Sequence, residues 1–130
     1  MKFAKSAAVA GILLGLTTFA HAQSAPLQKT SCFAITQFRG WKAPNTHTLY
    51  IRVNPARYYR LDLVTDCSSL RWPTATLLSE FRGSSSVCAP LDWQLKVSDG
   101  PYGFPQACMV KTMTELSPAE AAAIPRKFKP

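Results

Sequence analysis

From Thr48 the chain alternates: Leu49, Ile51 and Val53 fall on one face, Thr48, Tyr50 and Arg52 on the other. That period of two marks a strand buried on one side only. After Asn54-Pro55-Ala56 the alternation resumes, with Tyr59, Leu61 and Leu63 opposing Tyr58, Arg60 and Asp62, so the two segments form a hairpin. Trp93, Leu95 and Val97 alternate with Asp92, Gln94 and Lys96 in the same way. Shorter segments over 33–38, 76–82 and 109–113 predict three further strands. Turn residues separate these runs at Ala43-Pro44-Asn45, Gly83-Ser84-Ser85-Ser86 and Asp99-Gly100-Pro101-Tyr102-Gly103-Phe104-Pro105.

One helix is expected, and it is short. Ser117-Pro118-Ala119-Glu120 supplies a capping hydroxyl, a proline where its missing N–H is not needed, and a glutamate three residues on to complete a capping box. Pro125 ends it. Six short strands with turns between them predict an all-β fold, an antiparallel sandwich or partly open barrel spanning residues 32–125. Arg126-Lys127-Phe128-Lys129-Pro130 is expected as a basic, mobile tail.

The N-terminal residues 1–22 have a different pattern. Lys2 and Lys5 precede an apolar run from Ala7 to Phe19, and Ala20-His21-Ala22 follows it, the order of a secretory signal peptide cleaved before Gln23. The run of about 13 residues is shorter than the roughly 20 that cross a bilayer. Residues 23–31 are expected as a flexible leader, and the mature chain as periplasmic or secreted. No transmembrane segment is expected after cleavage.

Export gives the four cysteines a meaning. Cys32, Cys67, Cys88 and Cys108 are even in number within a short exported chain, which predicts two disulfides, in one of three connectivities. Zinc does not fit: the spacings contain no close cysteine pair, and His47 is the single histidine after the signal. Neither metal nor cofactor is expected. The expected pairing joins Cys67 to Cys88, closing the central excursion, and Cys32 to Cys108, tying the first strand to the last.

Removal of the signal leaves 13 basic against 7 acidic side chains, about +6 in formal charge. A surplus of that size favours an anionic cell-envelope polymer, with nucleic acid the less expected partner. The alternation places Tyr50, Arg52, Tyr58, Arg60 and Lys96 on outward strand faces, where rings could stack beside cations that bind anions. Tyr102 and Phe104, at the tip of the 99–105 loop, form the candidate partner loop. Asp62, Glu80 and Asp92 are the carboxylates that fall inside the expected strands. Paired carboxylates could do acid–base chemistry on a glycosidic bond, whereas cross-strand pairing with arginine is their commoner use. Asp92, four residues after Cys88, could instead brace the disulfide corner. No companion nucleophile marks His47 as part of a triad, and no catalytic residue is assigned.

Several segments together carry a resemblance. They are Cys32-Phe33, the strand Tyr58-Tyr59-Arg60-Leu61-Asp62-Leu63 running to Cys67-Ser68-Ser69-Leu70, Cys88-Ala89-Pro90-Leu91-Asp92, Cys108-Met109-Val110, and Leu116-Ser117-Pro118-Ala119-Glu120. In these the chain resembles an uncharacterised group of exported bacterial domains, domain-of-unknown-function family 6491. The resemblance implies a small exported domain and supplies no activity. Similar members carry a glycine-rich turn where this chain has Asn54-Pro55-Ala56. The functional expectation is therefore a non-catalytic binding or structural module of the cell envelope with a basic surface. The alternative is an envelope hydrolase or hydrolase inhibitor acting through the strand carboxylates or the 99–105 loop.

Overall fold

A computed structural model describes residues 31–81 and 85–130, so the expected signal peptide and all but the last residue of the expected leader lie outside the described residues. Among these, nine strands form three antiparallel sheets. The strands are β1 (Phe33–Ala34), β2 (Phe38–Lys42), β3 (Thr48–Val53), β4 (Arg57–Leu63), β5 (Ala75–Phe81), β6 (Ser86–Val87), β7 (Trp93–Asp99), β8 (Gln106–Ala107) and β9 (Val110–Glu115). The sheet orders are β2-β3-β4-β9, β5-β7-β8 and β1-β6, and no barrel closes. The all-β expectation holds, with more and shorter strands than the six expected. The 33–38 segment is two strands rather than one. A 3₁₀ turn over Ile35–Gln37 interrupts it, and the Gln37 side chain closes that turn by accepting the Ala34 N–H at 3.1 Å.

The β3–β4 hairpin pairs Tyr50 with Arg60, Ile51 with Tyr59 and Arg52 with Tyr58. Its turn requires one left-handed residue, and Asn54 takes that role at φ 54°. Asparagine tolerates this backbone because its side chain closes an Asx turn: Asn54 Oδ1 accepts from the N–H groups of Ala56 and Arg57, each at 3.2 Å. Thus the hairpin closes here without a glycine.

Each run of inward residues contributes to one core. Leu49, Ile51, Val53, Tyr59, Leu61 and Leu63 come from the four-stranded sheet and Trp93, Leu95 and Val97 from the three-stranded one, with Phe33 and Val87 from the third. The Phe33 and Phe38 rings both meet Trp93 near-perpendicularly, with centroids 6.0 Å apart, the edge-to-face geometry that aromatic quadrupoles favour.

The disulfides join Cys32 to Cys88 and Cys67 to Cys108. This corrects the expected pairing of Cys67 with Cys88 and Cys32 with Cys108. Strand order is the reason. The first strand pairs with β6, Phe33 opposite Val87, so Cys32 and Cys88 lie side by side, Cα atoms 4.1 Å apart. The closing strand β9 pairs instead with β4, Leu63 opposite Val110. Chain leaving β4 therefore runs beside chain entering β9, which places Cys67 and Cys108 5.7 Å apart, inside the range a disulfide spans.

Asp92 does brace the first of these corners. Its Oδ2 accepts the Cys88 and Ala89 N–H groups at 2.9 and 2.8 Å. Asp92→Ala would leave both amides without that acceptor, and an equilibrium urea titration should show a loss of about 1–2 kcal/mol with an unchanged m-value.

The helix α1 (Pro118–Ala123) begins as expected, with Ser117 and Glu120 exchanging side-chain-to-backbone hydrogen bonds at 2.7 and 3.3 Å. The expected mobile tail is instead packed. After buried Ile124 the chain makes a 3₁₀ turn over Arg126–Phe128, and Phe128, Lys129 and Pro130 are half-buried. Lys129 Nζ sits 5.4 Å from the centre of the Tyr58 ring. Pro130 lies against Gly40 of β2, close enough that a Cβ on that glycine would meet it at 4.0 Å. Phe128 and Pro130 interleave apolar surface with the tail's cations, which gives the segment something to bury. Its placement carries it onto the outer face of the four-stranded sheet.

Candidate functional site

That outer face is where the cross-strand register gathers the tyrosines and arginines. Tyr50 stands directly opposite Arg60, and Arg52 opposite Tyr58, with Lys42 of β2 next to Tyr50. Two Tyr–Arg pairs of opposite order thus alternate across adjacent strands. The C-terminal segment adds Lys129 above Tyr58, and α1 with its flanking residues walls a cleft of about 220 Å³ lined by Tyr50, Arg60, Leu116, Glu120, Ala123 and Ile124. Arg60 Nε donates to Asp62 Oδ1 at 2.9 Å, and Asp62 also accepts from Thr48 and Thr112 across the flanking strands, at 3.3 and 3.2 Å. Arg52 differs. Its Nε is buried and makes no hydrogen bond, although a buried donor normally finds a partner.

Lys96 does not belong to this group. It lies on β7 of the three-stranded sheet, where its ammonium donates to Glu80 at 2.6 Å. Alternation along a strand tells which side chains point outward, but not which sheet the strand joins, and that is why the sequence grouped Lys96 with the β3–β4 hairpin.

The three strand carboxylates are held apart by different partners: Asp62 by Arg60 and two threonines, Glu80 by Lys96, Asp92 by backbone amides. His47 Nδ1 lies 3.4 Å from Asp66 and 3.2 Å from the Thr46 hydroxyl, on exposed surface.

Sequence reasoning missed one polar network. Arg57, at the start of β4, makes a bidentate pair with Glu115 at the end of β9, at 2.7 and 3.1 Å. The same guanidinium donates to the Ser31 hydroxyl at 2.6 Å and to the Tyr59 hydroxyl. Tyr59 in turn donates to the Ser31 carbonyl at 3.1 Å. Hydrogen bonding from Arg57 holds the Glu115 carboxyl below its ordinary pKa, and burial pushes the Tyr59 phenol up. The available signal was Tyr59 itself, since a tyrosine on an inward face needs a partner for its hydroxyl. Which partner it meets depends on strand order. This network ties Ser31, next to the Cys32 bridge, to β4 and β9 and reads as structural.

The 99–105 loop does not fold back over the core. Tyr102 and Phe104 are 98% and 96% exposed, and Trp72, in the turn leading into β5, is 57% exposed. The two turns are joined, because the Gly100 N–H donates to the Thr74 carbonyl at 3.0 Å and the Thr74 hydroxyl to Asp99 at 2.5 Å.

The family model for DUF6491, described as a family of unknown function, matches residues 1–127. The chain belongs to that family. No curated protein and no solved structure matches it. Membership in DUF6491 thus agrees with the resemblance in the cysteine segments and assigns no role to any residue. Both disulfides of this DUF6491 chain are consistent with a periplasmic or extracellular protein, and among the described residues no helix is long and apolar enough to cross a membrane.

Proposed function

We propose that the protein is exported through its N-terminal signal and serves as a non-catalytic binding module of the cell envelope. In this reading an anionic polymer lies across the outer face of β3 and β4. One observation carries it: the cross-strand register sets Tyr50, Arg52, Tyr58 and Arg60 side by side. Rings beside guanidinium groups suit a chain of sugar rings bearing carboxylate or phosphate groups, the rings by stacking and the cations by charge. The general surplus of positive charge would raise the encounter rate.

The test is retention on an immobilised sulfated or phosphorylated glycan. Arg52→Glu combined with Arg60→Glu should elute at markedly lower salt and reduce the slope of log affinity against log salt by about two. Lys96→Glu makes a charge change of the same kind per residue on another sheet and should move elution far less. Equal shifts from the Lys96 variant and the double variant would reduce the binding to net charge alone and dismiss the face.

A further inference from the structure

The aromatic end of the three-stranded sheet is a second surface that the basic face leaves unexplained. Between Asp99 and Lys111 the chain carries no charged side chain, and its outermost residues are Tyr102 and Phe104, almost fully exposed. Apolar residues scattered singly over a surface need no explanation, but two neighbouring rings at a tip, with a third beside them, do.

The tip is also stiff. Gly100 sits at φ +72°, and a Cβ on Gly103 would come within 2.4 Å of the Asp99 carbonyl oxygen and 2.8 Å of its nitrogen. Both positions therefore demand glycine. The Ser98 hydroxyl donates to the Gly100 carbonyl at 2.8 Å, and the Thr74 bonds fasten the loop to the turn that carries Trp72. Pro101 and Pro105 flank the rings and restrict the backbone further. A loop built this way holds its aromatics out in water instead of letting them collapse onto the domain.

From these observations we infer that the tip formed by Tyr102 and Phe104, with Trp72 beside it, inserts into the headgroup region of an anionic lipid membrane. With both rings almost fully exposed, they wrap around no small ligand. Phe104 and the prolines offer no side-chain hydrogen bond to a sugar. A protein partner would have to present a matching pocket, whereas a lipid interface requires no fixed shape. Tyrosine and tryptophan are the residues that favour that interface, because an apolar ring and a polar edge are satisfied together. Charge supplies the complementarity: the 13 Lys and Arg against 7 Asp and Glu that remain after removal of residues 1–22 attract a leaflet bearing acidic lipids, and Arg71 stands exposed next to Trp72. Asp99, at the base of the loop, accepts the Thr74 hydroxyl. Two or three shallow aromatic anchors with a basic surface give reversible attachment, not permanent anchoring.

The experiment uses the exported chain with both disulfides intact. It measures co-sedimentation with phosphatidylcholine vesicles, with and without roughly a third phosphatidylglycerol. The wild-type protein should partition onto the anionic vesicles with a blue shift of tryptophan emission that Trp72→Phe removes. Tyr102→Ser combined with Phe104→Ser changes only exposed positions, so the fold should persist. It should lower partitioning by about tenfold or more and leave elution from the glycan column unchanged, which separates this surface from the basic face. Wild-type protein that stays in the supernatant overturns the inference. So does a double variant that sediments as well as wild type, since charge alone would then account for adsorption. Tight capture by a single envelope protein that the double variant loses, without vesicle binding, would assign the tip to a protein pocket instead.

Discussion

Replacing Cys67 and Cys108 by alanine should lower the stability of the domain by about 4 kcal/mol, and removing the Cys32–Cys88 bridge should cost about as much. The chain-entropy argument sets both figures. The bridges close loops with sequence separations of 41 and 56 residues, and the released entropy grows only with the logarithm of loop length. A domain of this size has roughly 5–15 kcal/mol in hand, so either single loss should be severe and reduction of both should unfold it. The two losses differ in kind. Cys67–Cys108 lies beside the β4–β9 pairing of the larger sheet, with both cysteines buried, whereas Cys32–Cys88 fastens a two-residue strand whose partner is equally short. Urea unfolding of the oxidised, reduced and two double-alanine proteins measures the energies. Peptide mapping of the oxidised protein should recover Cys32 linked to Cys88. Recovery of Cys67 linked to Cys88 would contradict the strand order as well as the pairing.

The second large effect is acid destabilisation through Glu115. Glu115→Gln should cost about 1.5–3 kcal/mol near neutral pH, the usual range for hydrogen bonds to a charged group, because Arg57 keeps a half-buried guanidinium whose bidentate partner is gone. The folded-state pKa of Glu115 is depressed, so its contribution is fully present above the unfolded carboxylate value. It fades as pH falls through the folded value. Tyr59 acts at the other end. Its folded-state pKa is raised by burial, so its contribution holds below the unfolded phenol value and is lost as pH rises through the folded one. Denaturation midpoints followed from neutral pH to about pH 2 should show wild type and Glu115→Gln converging in acid. A gap that stays constant across that range would mean the carboxylate's charge is not what the pair uses.

Local pattern carried much of this fold. The three clean alternations became β3, β4 and β7 with the inward residues as read, and Ser117 to Glu120 became the capped helix start. These features depend on neighbours within a few residues, where side-chain period and capping chemistry decide. What failed depended on which strands meet. The cysteine pairing, the grouping of Lys96 with the hairpin and the Arg57–Glu115 pair, 58 residues apart, all turn on strand partners: β1 choosing β6, β7 choosing β5 and β8, and β9 choosing β4. No short-range pattern encodes that choice. The tail failed for a related reason: Arg126 to Pro130 is polar by composition, yet Phe128 is half-buried, and Lys129 and Pro130 meet Tyr58 and Gly40, neighbours that only the assembled fold supplies. The candidate face was half legible: alternation set Tyr50, Arg52, Tyr58 and Arg60 outward, whereas their pairing across the strands and the covering by Lys129 and α1 were not read.

Whether the outer face of β3 and β4 binds anionic polymer is tested most directly by titrating the isotopically labelled, disulfide-bonded chain with a soluble anionic oligosaccharide and following amide resonances. The account predicts salt-sensitive shifts that concentrate on residues 50–60 and on the Lys129 segment packed beside Tyr58, with the amides of 99–105 unmoved. Shifts centred on 99–105, or spread evenly over every exposed lysine and arginine with Lys96 among them, would contradict it.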